Sequence, residues 1–139
     1  MPITTVNPLL HFNGQCEAAF KFYEQCLGGK IEYMGTFAGT PMEQNVPAEW
    51  RNKIIHATLR LSGGILFGSD VPPGRYEKPQ GFAVSVQTKD PAEAERMFNA
   101  LAQNGKVQMP IQQTYWSPRF GMLMDQFGIP WMVNCEQAS

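Results

Sequence analysis

Ala18-Ala19-Phe20-Lys21-Phe22-Tyr23-Glu24-Gln25-Cys26-Leu27-Gly28-Gly29-Lys30-Ile31 reads as a helix that stops at a glycine pair and turns straight into a strand. Cys16, Ala19, Phe20, Tyr23 and Leu27 recur at helical spacing and make one apolar face. Gly28-Gly29 supplies a positive-φ exit. The design returns at Ala94 to Val107: a helical pattern, an Asn104-Gly105 exit, then Lys106 and a β-branched residue. A shift of 76 positions places Ala18 on Ala94, Phe22 on Phe98, Gly29 on Gly105 and Lys30 on Lys106. Two such units predict an internal duplication.

Strands follow on either side of these helices. Thr4 to Phe12 reads as a strand broken by Pro8, which favours an edge position. Asn13-Gly14 is the turn that caps the first helix. Lys30 to Phe37 is the next strand. Ala38 to Trp50 reads as a loop, and loops of that length often serve as lids or binding loops. In Lys53 to Leu61, Ile55, Ala57, Leu59 and Leu61 alternate with His56, Thr58 and Arg60, the pattern of a half-buried strand. Ser62-Gly63-Gly64 turns the chain into a return strand, and Asp70 to Lys78, with its Pro72-Pro73-Gly74, reads as a linker.

The second half repeats the order. Gly81 to Thr88 is a strand, and Asp90-Pro91-Ala92-Glu93 is a helix start. Lys106 to Thr114 carries Pro110, and a final hairpin turns at Gln126-Phe127-Gly128. The two hairpins match at an offset of 64, and the twelve residues separating 64 from 76 are about the size of the Ala38 to Trp50 loop. The expected fold class is therefore α+β: one domain, 1–139, of two βαβββ halves, about 1–72 and 79–139.

The 139 residues carry a net charge of −1 with no adjacent basic pair, which argues against a nucleic-acid or anionic-membrane partner. No apolar run approaches the ~20 residues of a membrane span, and Met1 to Thr5 shows no signal-peptide pattern. Cys16, Cys26 and Cys135 lack CxxC spacing. The expected state is reduced and cytoplasmic.

Asn13-Gly14-Gln15-Cys16-Glu17-Ala18-Ala19, His56-Ala57, Gly68-Ser69-Asp70, Gln113-Thr114-Tyr115-Trp116 and Phe127-Gly128-Ile129-Pro130-Trp131-Met132-Val133-Asn134 resemble the PhnB-like group of the glyoxalase/bleomycin-resistance (vicinal oxygen chelate) superfamily. That group often carries the label 3-demethylubiquinone-9 3-methyltransferase-like. The resemblance implies a cupped, eight-stranded mixed sheet and a homodimer. It also implies metal-ligand positions near Pro8, Gly68, Val84 and Met132, none of which has a side chain suited to a divalent ion. No metal and no cofactor are therefore expected. No P-loop or dinucleotide fingerprint supports a methyltransferase reading.

If Leu61 faces Ile65 across the first turn, Gly68 pairs with Thr58 and Asp70 with His56, on the inward face. Met132 then pairs with Met122, and Asn134 with Phe120; Val84 brings Phe82 and Val86 by parity. Aromatic cover comes from Tyr33, Trp50 or Trp116. The expected small-molecule site is thus Tyr33, Trp50, Thr58, Asp70, Trp116, Phe120, Met122, Met132 and Asn134, with His56 as an acid/base group. Bland roles exist beside these: a structural hydrogen bond for His56, a turn cap for Asp70, core or dimer packing for Trp131. Trp50, Trp116 and Trp131 lie outside both helices and need cover, a further reason to expect a dimer. The leading functional expectation is a metal-free ligand binder resembling the drug-sequestering members. The alternative is a lyase, isomerase or dioxygenase using His56 and an unconventional metal site.

Overall fold

The computed structural model describes residues 3–137, so part of the Met1 to Thr5 stretch lies outside the described residues. The chain forms two compact units, divided between Glu77 and Lys78. In the first, β1 (Leu9–Phe12), α1 (Cys16–Leu27), β2 (Lys30–Thr36), β3 (Ile54–Leu61) and β4 (Gly64–Asp70) follow one another. The second holds β5 (Val84–Thr88), α2 (Pro91–Leu101), β6 (Lys106–Gln112), β7 (Arg119–Met124) and β8 (Pro130–Cys135). Each unit has one four-stranded mixed sheet, in the orders β1-β4-β3-β2 and β5-β8-β7-β6. The first strand of each unit runs parallel to its last, and the other pairs are antiparallel. This is βαβββ twice.

The repeat extends to local backbone. β2 begins at Lys30 and β6 at Lys106, paired with Arg60 and Met124. Gly28 and Asn104 occupy matching positions, and both are left-handed, at φ 75 and 60. Their neighbours Gly29 and Gly105 do not carry the positive φ. They are glycines for space: a Cβ on either would strike a backbone carbonyl on the adjacent strand, Arg60 O or Met124 O. Pro8 precedes edge strand β1 and Pro110 lies in edge strand β6, so neither interrupts a central ladder.

The helix starts differ. α2 is capped locally, as Asp90-Pro91 suggests: Asp90 Oδ1 accepts from the Ala92 amide at 3.0 Å. α1 has Gln15 at its N-cap and no side-chain cap there, contrary to the expectation for Asn13-Gly14. Its cap comes from the end of β4, where Asp70 Oδ1 accepts from the Cys16 amide at 2.9 Å.

Each core lies between one helix and one sheet face. In the first unit Leu10, Phe12, Ala57, Leu59 and Leu66 meet Cys16, Ala19, Phe20 and Tyr23. In the second, Leu123, Trp131, Val133 and Cys135 meet Ala94, Met97, Phe98 and Leu101. The Ala38 to Trp50 segment is more ordered than a plain loop. It forms two short 3₁₀ turns, Pro41–Asn45 and Ala48–Trp50, and is closed at its base by Phe37 N–H to Lys53 O and Ala38 N–H to Arg51 O.

Candidate functional site

Strand residues alternate between faces, and a helix covers only one face of each sheet within its unit. The side chains on the other face are the candidates for ligand contact. In the first unit they come from Leu9 and His11 on β1, Tyr33 and Gly35 on β2, His56, Thr58 and Arg60 on β3, and Phe67 and Ser69 on β4.

Three rings cross this face in file. The Tyr33 ring is 6.2 Å from His56, and His56 is 5.3 Å from Phe67, with interplanar angles of 40° and 34°. They stand on three adjacent strands, so the row is a cross-strand aromatic ladder with an imidazole at its centre. Thr58 Oγ1 lies 3.5 Å from His56 Nε2, too long to tie the ring firmly. Tyr33 is 56% exposed and lies over Gly35, where a Cβ would collide with the phenol oxygen. Arg60 holds Glu32 at 2.7 Å at the rim, and that hydrogen bond pulls the Glu32 carboxyl below its usual range.

On the second unit's corresponding face, Phe120 pairs with Asn134 and Met122 with Met132, as expected from the sequence. Ser85 and Gln87 join them from β5, beside Met132 and Asn134. Trp116 packs edge-on against Phe120 at 5.2 Å and Tyr115 against Trp116 at 4.7 Å. The Thr114 to Arg119 turn that carries Trp116 is anchored by buried Ser117, whose hydroxyl lies 2.7 Å from Cys135 O and 2.8 Å from Arg119 O. Asn134 Nδ2 donates to Gln87 Oε1 at 2.9 Å, and Gln87 Nε2 donates to Ser85 Oγ at 2.6 Å. Asn134 Oδ1 is buried and accepts no hydrogen bond.

Several expectations need correction. Leu61 pairs with Gly64, not Ile65, so the turn has two residues and the β4 register moves by one. Gly68 therefore pairs with Ala57, beneath Phe20, and Asp70 does not share a face with His56. Asp70 is 2% exposed; its second oxygen accepts from the Ile54 amide at 2.8 Å, and burial pushes its carboxyl up. It joins α1 to β3 instead of lining the open face. Val84 pairs with Trp131 on the helix side, which takes Val86 with it; Ser85 and Gln87 hold the opposite positions. Trp50 is buried beside Gly14 at the start of α1, away from the ring row. Trp131 is core: its indole N–H donates to Asp125 Oδ2 at 2.8 Å. With Trp50 and Trp131 covered inside their own units, only Trp116 of the three still needs cover.

The sequence reading missed Phe67, Ser85 and Gln87. The signal was present: a two-residue hairpin turn is the commonest kind, and applying it to Ser62-Gly63 puts Phe67 beside Thr58 and next to His56. The second hairpin is longer, with Met124 paired to Pro130, so β8 is displaced by one residue from a uniform offset of 64. Gly68 corresponds to Val133, not Met132. Three of the four supposed ligand positions, Pro8, Gly68 and Val84, are thus not on the open face.

Those open faces do not fit a divalent metal. Their side chains offer two imidazoles, hydroxyls and amides with no converging carboxylate, and among the described residues no three His, Cys, Asp or Glu side chains gather into a metal-holding group.

The model of the Glyoxalase/Bleomycin resistance protein/Dioxygenase superfamily matches residues 5–133. The chain is 33% identical over 137 residues to Protein YjdN of Escherichia coli (strain K12), spanning 93% of each chain. Its structure is similar to that of protein PA1353 from Pseudomonas aeruginosa, with 46% identity, a TM-score of 0.88 and coverage of 98% and 100% of the two chains. The fold is also similar to a structure described as "Putative 3-demethylubiquinone-9 3-methyltransferase, PhnB protein" from Bacillus cereus, at 23% identity and a TM-score of 0.79, covering 97% and 100%.

Proposed function

The chain belongs to the Glyoxalase/Bleomycin resistance protein/Dioxygenase superfamily, and from that premise we propose that it binds a small organic molecule on the helix-free faces of its sheets. The observation that carries this reading is the row Tyr33, His56 and Phe67. Three rings, each tilted by 34–40° from the next, make a largely aromatic surface, and the central imidazole adds a group that can donate or accept a hydrogen bond. Thr58 and Ser69 supply polar contacts beside it. Phe120, Met122, Met132, Asn134 and Trp116 form a second platform of mixed character. Planar, partly apolar ligands suit such surfaces.

We further propose a homodimer in the cytoplasm. Exposed Trp116 and Tyr115 and the unpaired outer edges of β2 and β6 support a second copy as cover. The three cysteines are buried, and Cys16 and Cys135 are free thiols, which suits a reducing compartment. Light scattering at micromolar protein tests the assembly; a monomeric mass would count against it.

A thermal-shift screen of planar organic compounds tests the central reading, since a ligand that binds only the folded state raises the melting temperature by mass action. Hits that lose their shift in Phe67→Ala support it. Hits that keep their full shift in both Phe67→Ala and His56→Gln argue that the ring row is not the site.

A further inference from the structure

The side chains on the first unit's open face fall into rows that run across its strands. His11 on β1 pairs with Ser69 on β4, and Gly35 on β2 pairs with His56 on β3. Ala57 pairs with Gly68, and the same register carried one residue on sets His56 opposite Ser69. The protein's two histidines therefore stand in one row with a serine hydroxyl between them. Their Cα atoms are two strand spacings apart, about 10 Å. The Tyr33 phenol oxygen, lying over Gly35, ends the same row. The next row, about 7 Å along the strands, holds Leu9, Phe67 and Thr58. His11 is exposed, and Ser69 and His56 are half-buried, so all three present surface to a ligand. Ser69 Oγ lies 3.4 Å from Asp70 O, at the long limit for a hydrogen bond.

Charge on this face is unbalanced. Lys30 pairs with Arg60 and shares its side of the sheet. Among the described strand residues there, Glu32 at the rim is the one carboxylate. Arg60 already holds it at 2.7 Å, and the charge of Lys30 adds to that hydrogen bond in keeping it below its usual range. A chain of net charge −1 thus presents a face with two cations, two imidazoles and one neutralised acid. Such a face attracts anions, and imidazole N–H and hydroxyl groups donate to a carboxylate, which only accepts. We propose that this face takes a planar aromatic carboxylate, with its ring against Phe67 and Tyr33 and its carboxylate in the row of His11, Ser69 and His56. This rests on the small-molecule reading above and deepens it by naming the ligand's charge. Arg60 and Lys30 lie on the far side of the apolar row, committed to Glu32, and contribute attraction at a distance.

The test uses a matched pair of probes, 2-naphthoate and 2-naphthamide, which share their rings and differ in charge. Isotope-labelled full-length protein is titrated with each at low salt, following the His11 and His56 ring protons and the backbone of β1, β3 and β4 by NMR. The expected result is that the acid binds this face about tenfold more tightly than the amide, the worth of hydrogen bonds to a charged acceptor. The ratio should fall to near one in His11→Gln, an exposed position on an edge strand, with the melting curve and the affinity for the amide unchanged. Ser69→Ala is an independent variant and should narrow the ratio as well. Equal binding of the two probes at this face in the wild type overturns the inference while leaving the small-molecule reading in place. A preference for the acid that survives undiminished in both variants also overturns it. Failure of both probes to shift any resonance on this face overturns the inference and counts against the broader reading as well.

Discussion

The phenol of Tyr33 rests where a side chain on Gly35, two residues along the same strand, would begin. The ring can lie flat on the sheet only because that position is glycine. Gly35→Ala is therefore expected to push Tyr33 off the platform. The ring is the free end of a side chain and can swing away, so stability should change by less than about 1 kcal/mol. Binding of a ligand that uses the ring row should weaken by about tenfold or more. Melting curves and a titration of the variant separate the two effects.

His56→Gln asks a related question. Among the described residues, the ring's one hydrogen-bond neighbour is Thr58, at a marginal 3.5 Å. A structural role would require more than that. The expected outcome is stability within about 1 kcal/mol of wild type together with weakened ligand binding. A large loss of stability with binding retained would make His56 a structural residue.

Asp70 should behave in the opposite way. Its two oxygens accept from the buried Cys16 and Ile54 amides. Asp70→Asn leaves one of those amides facing an NH₂ group, and the expected loss is about 1–3 kcal/mol by urea denaturation, with ligand binding retained. Burial is the strongest influence on this carboxyl and raises it above the usual range, opposed by the Ile54 and Cys16 amides and by Lys53. The folded protein therefore binds this proton more tightly than the unfolded chain does. The resulting stabilisation is full below about pH 3.9, the unfolded value, and is lost as pH rises through the folded value. The asparagine variant lacks this dependence, so its deficit should narrow as pH rises through that window.

Much of this architecture was legible in the sequence. The 76-residue shift located both helices and the starts of β2 and β6, because helix exits and β-branched strand starts are local chemistry. Which residues share a sheet face was less legible. One residue in the first hairpin turn decides whether Asp70 or Phe67 joins His56 and Thr58, since a slip of one inverts every side chain. The second hairpin was read correctly at Met122 and Met132, although its turn is longer. Nothing local in the sequence marks Asp70 as the cap of a helix that begins 54 residues earlier.

The Phe127-Gly128-Ile129-Pro130-Trp131 motif now has a structural explanation. Asp125 accepts from the Phe127 and Ile129 amides at 2.8 and 3.0 Å, and from the Trp131 indole at 2.8 Å. Asp125→Ala should leave these donors unsatisfied in the core and destabilise the protein by about 3 kcal/mol or more. An accompanying change in tryptophan fluorescence would report on Trp131. A melting curve identical to wild type would contradict this role.

The most direct test of the account maps where a ligand sits. Labelled protein would be titrated with a planar aromatic compound that raises its melting temperature, and chemical-shift changes assigned residue by residue. The account predicts the largest changes at Tyr33, His56, Thr58 and Phe67, on the sheet face that α1 does not cover. Changes confined to the helices, or to the Ala38 to Trp50 segment, would contradict it.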